Sequence, residues 1–339
     1  MPEHGPEGRC YAFGPAVRLA VAGSARARAH FEREYGPATA AGPPQVAADL
    51  RFGRAPAGPL VAGHHKTARW RVALGSPGAQ PLRVAIGIAG GPPSFALSLV
   101  QGYYVEPLVA VALSRAGLVA LPSAGVVGRG GALVIMGRSG SGKSSLSVRA
   151  LAGGARILGD DQVIVAGDGR CWPYPRRLRL YPDVRYTAPE AWRRLGASTR
   201  RTLRARQAIR WATRGFVAPS LAVPASELSV PLGAEPVPAS RLVVVERAAD
   251  AQALSEHERE AGWAAREAAE VLAAQRTRFA GAADERWRAE LRRVAAHEAE
   301  ILRAWLDPLP ITQLRIPRAW DAPTAVTALA ARLGTDRAD

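Results

Sequence analysis

The chain has 339 residues, of which 48% are hydrophobic and 22% are charged. This length predicts about two domains at roughly 150 residues each, and the apolar fraction suffices for a buried core, which excludes a wholly disordered chain. The formal net charge is +16, yet only two of the 45 basic residues are lysines, Lys66 and Lys143. So strong a preference for arginine is typical of a biased composition, and the net charge alone is therefore weak evidence for nucleic-acid binding.

The terminus and the apolar stretches predict where the protein resides. Residues 1–8 are polar and lack the apolar stretch of a secretory signal. The most apolar stretch, residues 108–127, is interrupted by Arg115 and Pro122, whereas a membrane-spanning helix needs about 20 uninterrupted apolar residues. The two cysteines, Cys10 and Cys171, are too few for a disulfide framework. We expect a cytoplasmic protein with no membrane partner.

The first hundred residues predict short strands separated by turns. β-favouring runs bounded by Gly and Pro occupy residues 17–22, 48–52, 68–74 and 82–89. We predict a strand-rich N-terminal domain over residues 1–105 and a second domain over residues 106–339. The first domain carries no motif whose chemistry can be identified.

The remainder of the chain alternates strand and helix patterns. We predict, in order, a helix at 108–114, strands at 117–121, 124–127 and 132–136, a helix at 144–152, and strands at 157–158, 162–165 and 241–246. Residues 256–306 predict two helices that meet near Gly281, the second with an apolar stripe from Trp287 to Trp305. This pattern predicts an α/β core with a helical C-terminal part.

A glycine-rich loop follows the strand at 132–136. Residues 137–144 read Gly-Arg-Ser-Gly-Ser-Gly-Lys-Ser and match the Walker A pattern G-x-x-x-x-G-K-[ST] in full. Glycines let the backbone curl so that its N–H groups face phosphate oxygens, and the following helix presents its positive end to the same anion. We predict that the phosphates of ATP are bound by Gly137, Ser139, Gly140, Ser141, Gly142, Lys143, Ser144 and Ser145.

Within this loop two side chains have distinct predicted roles. Lys143 would reach the β- and γ-phosphates, and the hydroxyl of Ser144 would bind Mg²⁺. Lys143 is one of two lysines in an arginine-rich chain, which fits a position where a compact ammonium is needed rather than a planar guanidinium.

Two adjacent carboxylates, Asp160 and Asp161, lie between apolar runs shortly after the loop. Such a pair is costly to bury unless it holds a cation or shares a proton. On an extended backbone the two side chains point to opposite sides. One can therefore face Mg²⁺ while the other accepts the proton of an attacking hydroxyl.

The loop, the helix after it and the Gly-Asp-Asp strand together resemble the HPr kinase/phosphorylase family and its kinase-like relatives associated with the modification of ribosomally made peptides. The resemblance covers residues 117–185, about a fifth of the chain. It implies an α/β fold with a P-loop core like that of phosphoenolpyruvate carboxykinase, and ATP-dependent phosphorylation of a serine hydroxyl. Carried over by position, Asp160 would be the general base and Asp161 a Mg²⁺ ligand, and these two roles could be exchanged.

The sequence departs from the family in two places. Pro122 stands where the family commonly has a histidine, and the glycine-rich signature expected downstream in the HPr-directed enzymes is absent. These departures argue against the phosphorylase reaction and against HPr as the substrate.

Residues 170–214 form an arginine-rich segment, with 13 arginines against the acidic residues Asp183 and Glu190. One interpretation is that Arg177, or its neighbours Arg176 and Arg179, clamps the transferred phosphoryl group. A second is that residues 198–214 dock an acidic peptide. A third is nucleic-acid contact through the aromatic faces of Tyr181, Trp192 and Trp211. The fourth is a solvated helix face with no ligand.

We predict an ATP- and Mg²⁺-dependent kinase that transfers the γ-phosphoryl group to a serine or other hydroxyl of a peptide, protein or small molecule. Asp160, Lys143 and Arg177 would be its catalytic residues, and Ser144 and Asp161 its metal ligands. Two alternatives stay open: an NTPase acting with nucleic acid or a protein partner, and a nucleotide-binding module with degraded catalysis. An apolar run ending in Asp-Glu, as motor ATPases usually carry, is missing, so nucleic acid is the less favoured partner; homo-oligomerisation stays open.

Overall fold

The computed structural model describes residues 9–54, 56–57, 60–214, 220–228 and 235–335. They form a mixed α/β protein, as predicted, that divides into two compact units. The first unit comprises Met1–Val119 and Ala269–Ile301, and the second comprises Ala120–Ala268 and Leu302–Asp339. The first unit thus extends past residue 105 and includes a helical segment from late in the chain.

A seven-stranded sheet forms the frame of the first unit. Its strands are β1 (Arg9–Phe13), β2 (Val17–Gly23), β3 (Thr39–Ala40), β4 (Val46–Phe52), β5 (Val61–His65), β6 (Ala68–Leu74) and β7 (Leu82–Ala89), in the order β3-β1-β2-β4-β7-β6-β5. The four predicted strands correspond to β2, β4, β6 and β7. Alternate residues of these strands, among them Leu19, Leu50 and Ile86, are buried on one face of the sheet.

Helices cover this buried face. They are α1 (Ala25–Tyr35), α2 (Pro93–Val100) and α3 (Glu106–Arg115), and a π-helical turn at Gln101–Val105 joins the last two. Among the described residues, the continuous helical stretch Pro93–Arg115 is the one long and apolar enough to cross a membrane. Most of that stretch is buried inside the fold, as the core helix of a globular protein is.

A nine-stranded sheet forms the frame of the second unit. Its strands are β8 (Leu118–Leu121), β9 (Ser123–Gly128), β10 (Gly131–Gly137), β11 (Arg156–Gly159), β12 (Val163–Ala166), β13 (Arg170–Pro173), β16 (Val237–Ala248), β17 (Ser255–Glu258) and β18 (Ile311–Pro317). Seven of them follow the order β11-β9-β10-β16-β13-β12-β8, while β18 pairs with β16 and β17 with β18. A separate two-stranded sheet joins β14 (Leu178–Leu180) and β15 (Leu221–Val223).

Seven helices complete the described part of the chain after residue 137. They are α4 (Lys143–Ala152), α5 (Val184–Thr187), α6 (Pro189–Arg194), α7 (Ala197–Ala212), α8 (Ala261–Ala282), α9 (Glu285–Leu306) and α10 (Ala322–Leu333). The predicted succession of strand, glycine-rich loop and helix is confirmed as β10, residues 138–142 and α4.

The helical prediction over residues 256–306 needs one correction. Residues 255–258 form the strand β17, which pairs antiparallel with β18, because backbone hydrogen bonds offered by the neighbouring strand outweigh a weak local preference for helix. The division into two helices near Gly281 is confirmed: α8 ends at Ala282 and α9 begins at Glu285. Between them the side chain of Asp284 accepts a hydrogen bond from the backbone N–H of Trp287 (2.9 Å) and so caps α9.

A buried ion pair joins α8 and α9 inside the first unit. Arg276 Nη1 donates to Glu298 Oε2 over 2.7 Å, and a second guanidinium nitrogen pairs with the other carboxylate oxygen. Both side chains are almost fully buried. Bidentate geometry of this kind compensates the desolvation of the two charges only while both partners are present.

We predict that Arg276→Ala lowers the free energy of unfolding by about 3–5 kcal/mol, because Glu298 is left buried without its counter-charge. The measurement is urea unfolding followed by circular dichroism. The double variant Arg276→Met/Glu298→Leu should lose less than Arg276→Ala, since it removes both charges and keeps the volume. Arg292→Ala, an exposed arginine on α9, is the matched control and should change stability by no more than about 0.5 kcal/mol. A double variant as unstable as Arg276→Ala would contradict this account.

Candidate functional site

Strand direction brings the glycine-rich loop and the aspartate pair to one edge of the second sheet. β10 and β11 both pair antiparallel with β9, so they run in the same direction with one strand between them. Their carboxyl ends, Gly137 and Gly159, therefore lie at the same edge. β16 runs parallel to β10 and also ends there. In open α/β sheets this edge is where ligands usually bind.

Backbone conformation gives the loop its curl. Gly140 and Gly142 have φ values of 82° and 103°, in a region that residues with a Cβ rarely adopt. A Cβ on Gly142 would also lie 3.4 Å from Val326 Cγ2 of α10, which packs against the loop. The two glycines are therefore required by the local structure, whatever the loop binds.

Lys143 opens α4 and folds back over its own loop. Its Nζ donates to the carbonyl oxygens of Gly137 and Arg138, the latter at 3.2 Å. Burial lowers the pKa of the Lys143 ammonium, and the charges of Asp161 and Asp160 act in the opposite direction. The ammonium is thus held at the loop mouth, within the electrostatic influence of both carboxylates.

The serines of the loop differ in their surroundings. Ser139 is exposed, and Ser144 and Ser145 are half-buried. Ser144 Oγ donates to the backbone carbonyl of Asp160 (3.4 Å), which ties the start of α4 to the end of β11. Ser141 is buried, and its Oγ has no hydrogen-bond partner among the residues that the structure describes. A buried hydroxyl without a partner is uncommon and is explained when a ligand supplies one.

The two aspartates lie in opposite environments, although they form a bend between β11 and β12 and not the extended strand that the sequence predicted. Asp160 is 2% exposed, and its Oδ2 accepts a hydrogen bond from the backbone N–H of Arg179 (2.9 Å). Burial chiefly, and then the charge of Asp161, raise the pKa of Asp160 to about 6. The side chain of Asp161 is 48% exposed and pairs with Arg176 Nη1 at 3.0 Å. The site therefore combines one desolvated carboxyl and one accessible carboxylate.

Arginines from β14 and the segment just before it lie close to the aspartate pair. Arg176 and Arg179 both lower the pKa of Asp160 electrostatically, against the larger effect of burial. Arg177, the predicted clamp, lies between them in the sequence and is half-buried. Arg176 pairs with Asp161, and the backbone N–H of Arg179 donates to Asp160. Tyr181 is close enough for both aspartates to raise the pKa of its hydroxyl, after burial as the main cause.

Sequence reasoning missed Arg247 at the carboxyl end of β16. Its Nε donates to the carbonyl of Gly140 (3.0 Å) and its Nη1 to the carbonyl of Trp320 (2.7 Å). The guanidinium therefore links the tip of the loop to the segment before α10. The sequence did contain a signal for Arg247: the apolar run 242–245 ends in charged residues. If this run forms a buried strand parallel to the loop strand, the charged residues after it lie at the same edge of the sheet.

Pro122, the position of the family histidine, also lies at this edge. β9 and β10 pair with Met136 opposite Ser123, so the same register continued by one residue brings Pro122 opposite Gly137. Pro122 is buried and carries no titratable group. The pKa of Asp160 is set instead by burial and by Asp161.

The arginine-rich segment continues into α7, of which only Leu203 is fully buried. Burial and the nearby charge of Arg179 lower the pKa of Arg206, which places this helix beside the arginines of the site. Trp211 near the end of α7 is 67% exposed. The segment therefore presents a positive surface with an exposed aromatic ring next to the aspartates.

Comparison of the sequence with protein-family models and with curated proteins finds no match to either.

We predict that Asp160→Asn stabilises the protein at pH 8. The folded-state pKa of about 6 lies above the 3.8 of a free aspartate, so the buried charge destabilises the fold once pH rises above that range, by up to about 3 kcal/mol at 1.36 kcal/mol per pKa unit. The gain of the variant over wild type should be present at pH 8 and should shrink as pH falls from 6 to 4.

Thermal unfolding of both proteins across this pH range is the measurement. Asp168→Asn is the control, because Asp168 is exposed and its pKa is lowered by Arg170, so that this variant should gain nothing at pH 8. A loss of stability in Asp160→Asn at pH 8 would show that the buried carboxylate is compensated by its hydrogen bond and the surrounding arginines.

Proposed function

We propose that the protein is an ATP- and Mg²⁺-dependent phosphotransferase, similar to the HPr kinase-like P-loop kinases, that phosphorylates a hydroxyl group. The observation that carries the proposal is the meeting of the glycine-rich loop with the aspartate pair at one sheet edge, tied by the hydrogen bond from Ser144 Oγ to the carbonyl of Asp160. Nucleotide phosphates, a cation and an attacking hydroxyl are the groups that need such an arrangement.

Support for phosphate binding comes from the loop itself. Its glycine conformations leave backbone N–H groups at the amino end of α4, where the helix dipole favours an anion. Ser141 Oγ is buried without a partner and would donate to a phosphate oxygen. Lys143, which now donates to two loop carbonyls, would turn to the β- and γ-phosphates.

The residues at the edge fit a magnesium ion shared with phosphates. When bound, Mg²⁺ neutralises charge on the β- and γ-phosphoryl groups. Ser144 and Asp161 would hold it, and phosphate and water oxygens would supply the other ligands, as is usual for this ion. Asp161 suits this role because half of its side chain is accessible. No cluster of three or more metal-binding side chains occurs among the described residues, which is in keeping with a cation that enters with its nucleotide.

Asp160 suits the role of general base. Its carboxyl has a pKa of about 6, which leaves it ionised at neutral pH but a better proton acceptor than an ordinary aspartate. The O–H bond of the acceptor would break, and its proton would pass to Asp160. The acceptor oxygen would form a bond to the γ-phosphorus, while the bond between that phosphorus and the bridging oxygen breaks and ADP leaves. Arg177, with Arg176 and Arg179 on either side, would stabilise the charge of the transferring group.

The surroundings favour an acidic or phosphorylated acceptor. Arg179 and Arg206 lie close enough to influence one another, and such like charges are relieved by an anion between them. We therefore propose a peptide or protein acceptor with acidic residues near the modified hydroxyl, and a cytoplasmic setting in which ATP is available.

We predict that Lys143→Ala lowers the affinity for ATP by at least about tenfold, because the loss of an ammonium–phosphate contact removes roughly 1.4 kcal/mol or more. Isothermal titration calorimetry with Mg·ATP measures this change. Lys66→Ala is the matched control, since Lys66 is the other lysine of the chain and lies in the turn between β5 and β6. Equal affinity of the two variants would contradict phosphate binding by this loop.

We predict that Asp160→Asn keeps the affinity for ATP while transfer falls by about 10²–10⁴-fold, the usual contribution of a general base. Transfer of labelled γ-phosphate to the protein products of neighbouring genes would be followed by autoradiography. Asp161→Asn should instead raise the Mg²⁺ concentration needed for half-maximal transfer. If the two results are reversed, the roles of the aspartates are exchanged. ATP hydrolysis stimulated by nucleic acid without any transfer would replace the kinase by the NTPase alternative.

A further inference from the structure

The seven-stranded sheet of the first unit has a second face, opposite to the one covered by helices. Strand register identifies its residues: Arg69 of β6 lies between His64 of β5 and Ala89 of β7, and Arg71 lies between Ala62 and Gly87. The side chains of Arg69, Arg71, Ala62 and His64 are exposed. This part of the sheet is therefore open to solvent, and we call it the open face.

A groove of about 560 Å³ runs over the open face. Its floor contains small residues, Ala62, Gly87 and Ala89, and its rim carries Arg54, Arg69 and Arg71. This volume lies within the range of ligand-binding clefts, about 300–1,000 Å³. Small residues on a strand floor allow the backbone of another chain to come close.

The arginines of this groove are not neutralised by the fold. Arg54, Arg69, Arg71 and the neighbouring Arg83 of β7 make no hydrogen bond or ion pair with any described residue, whereas Arg51 pairs with Asp49 at 3.1 Å. Elsewhere many exposed arginines are matched by acids, as the pairs Arg292–Glu285, Arg315–Asp250 and Arg170–Asp168 illustrate. A biased composition explains the number of arginines but not their lack of partners on this face.

The spacing of the arginines indicates the form of the ligand. Residues two apart on a strand point to the same side at a separation of about 6.6–6.8 Å, and alternate side chains of an extended peptide repeat at the same distance. An extended segment with Asp or Glu at every second position could thus place successive carboxylates on Arg69 and Arg71, each in bidentate geometry.

Single-stranded nucleic acid, the other common polyanion, requires aromatic faces for its bases. Trp70, the one Trp, Tyr or Phe residue lining the groove, is 3% exposed and its Nε1 donates to Tyr104 Oη in the core, which leaves the imidazole of His64 as the exposed ring of this lining. We propose that the open face of the first sheet binds an extended acidic peptide, with Arg69 and Arg71 as its principal contacts. The proposal does not depend on phosphoryl transfer, because binding at this face needs no nucleotide.

Fluorescence anisotropy with the full chain and no nucleotide tests the proposal. The probe is a labelled ten-residue peptide in which Glu and Ala alternate, compared with a peptide of the same composition whose glutamates form one block. We expect the alternating peptide to bind more tightly, and Arg69→Ala/Arg71→Ala to weaken it by about tenfold, the equivalent of two modest ion pairs. Circular dichroism of this variant should match wild type, since both arginines are exposed.

A matched control removes the same charge elsewhere. Arg286→Ala/Arg303→Ala changes exposed arginines on α9. It should bind the alternating peptide within about twofold of wild type, because neither arginine belongs to the open face. A charge exchange gives a positive test: Arg69→Glu/Arg71→Glu should prefer a peptide of alternating Lys and Ala.

Three results would overturn the proposal: equal binding of the alternating and block peptides, equal weakening by the control variant on α9, or tighter binding of an oligothymidylate that depends on Arg69 and Arg71. The last result would assign the face to nucleic acid. Failure of these tests would leave the kinase proposal intact, because the Lys143 and Asp160 variants examine it by ATP binding and transfer.

Discussion

The pairing of β9, β10, β11 and β16 is the constraint on which the candidate site depends. β9 reverses direction between two strands that run the same way, and β16 adds a third strand in that direction. The glycine-rich loop, the aspartates and Arg247 are separated by many residues in the chain, yet all follow the carboxyl ends of these strands. A change of one residue in register would turn the strands over and move the aspartates away from Ser144.

The electrostatics of the site follow from this edge. Burial desolvates both Lys143 and Asp160. It lowers the pKa of the lysine and raises the pKa of the aspartate, and each shift favours the neutral form of the side chain. Arg176 and Arg179 limit the shift at Asp160, and the exposed Asp161 maintains it. Charged groups buried in this way destabilise the fold, and they are typical of functional sites. In the proposed phosphoryl transfer, the buried Asp160 would accept a proton and the exposed Asp161 would bind Mg²⁺.

The sheet of the first unit is covered by helices on one face only. It leaves the other face to solvent, as mixed and antiparallel sheets often do. On the open face, small residues of β5 and β7 lie beside the exposed Arg69 and Arg71 of β6. Water hydrates these guanidinium groups, but they have no acidic partner among the described residues, so the face carries a concentrated positive charge. The proposed acidic peptide would neutralise that charge.

Local chemistry determined a good part of this protein from sequence alone. The glycines, the apolar strand before them and the helix-forming run after them predict the loop at 137–144, because this feature depends on residues close together in the chain. The bend that holds Asp160 and Asp161 was expected as an extended strand. Other features depend on which distant segments pair. They are the strand at 255–258, the contacts of Arg176 and Arg179 with the aspartates, and the hydrogen bond from Arg247 to the loop. Only the tertiary structure decided them, because backbone hydrogen bonds and burial between remote strands outweigh the conformational preference of the local sequence.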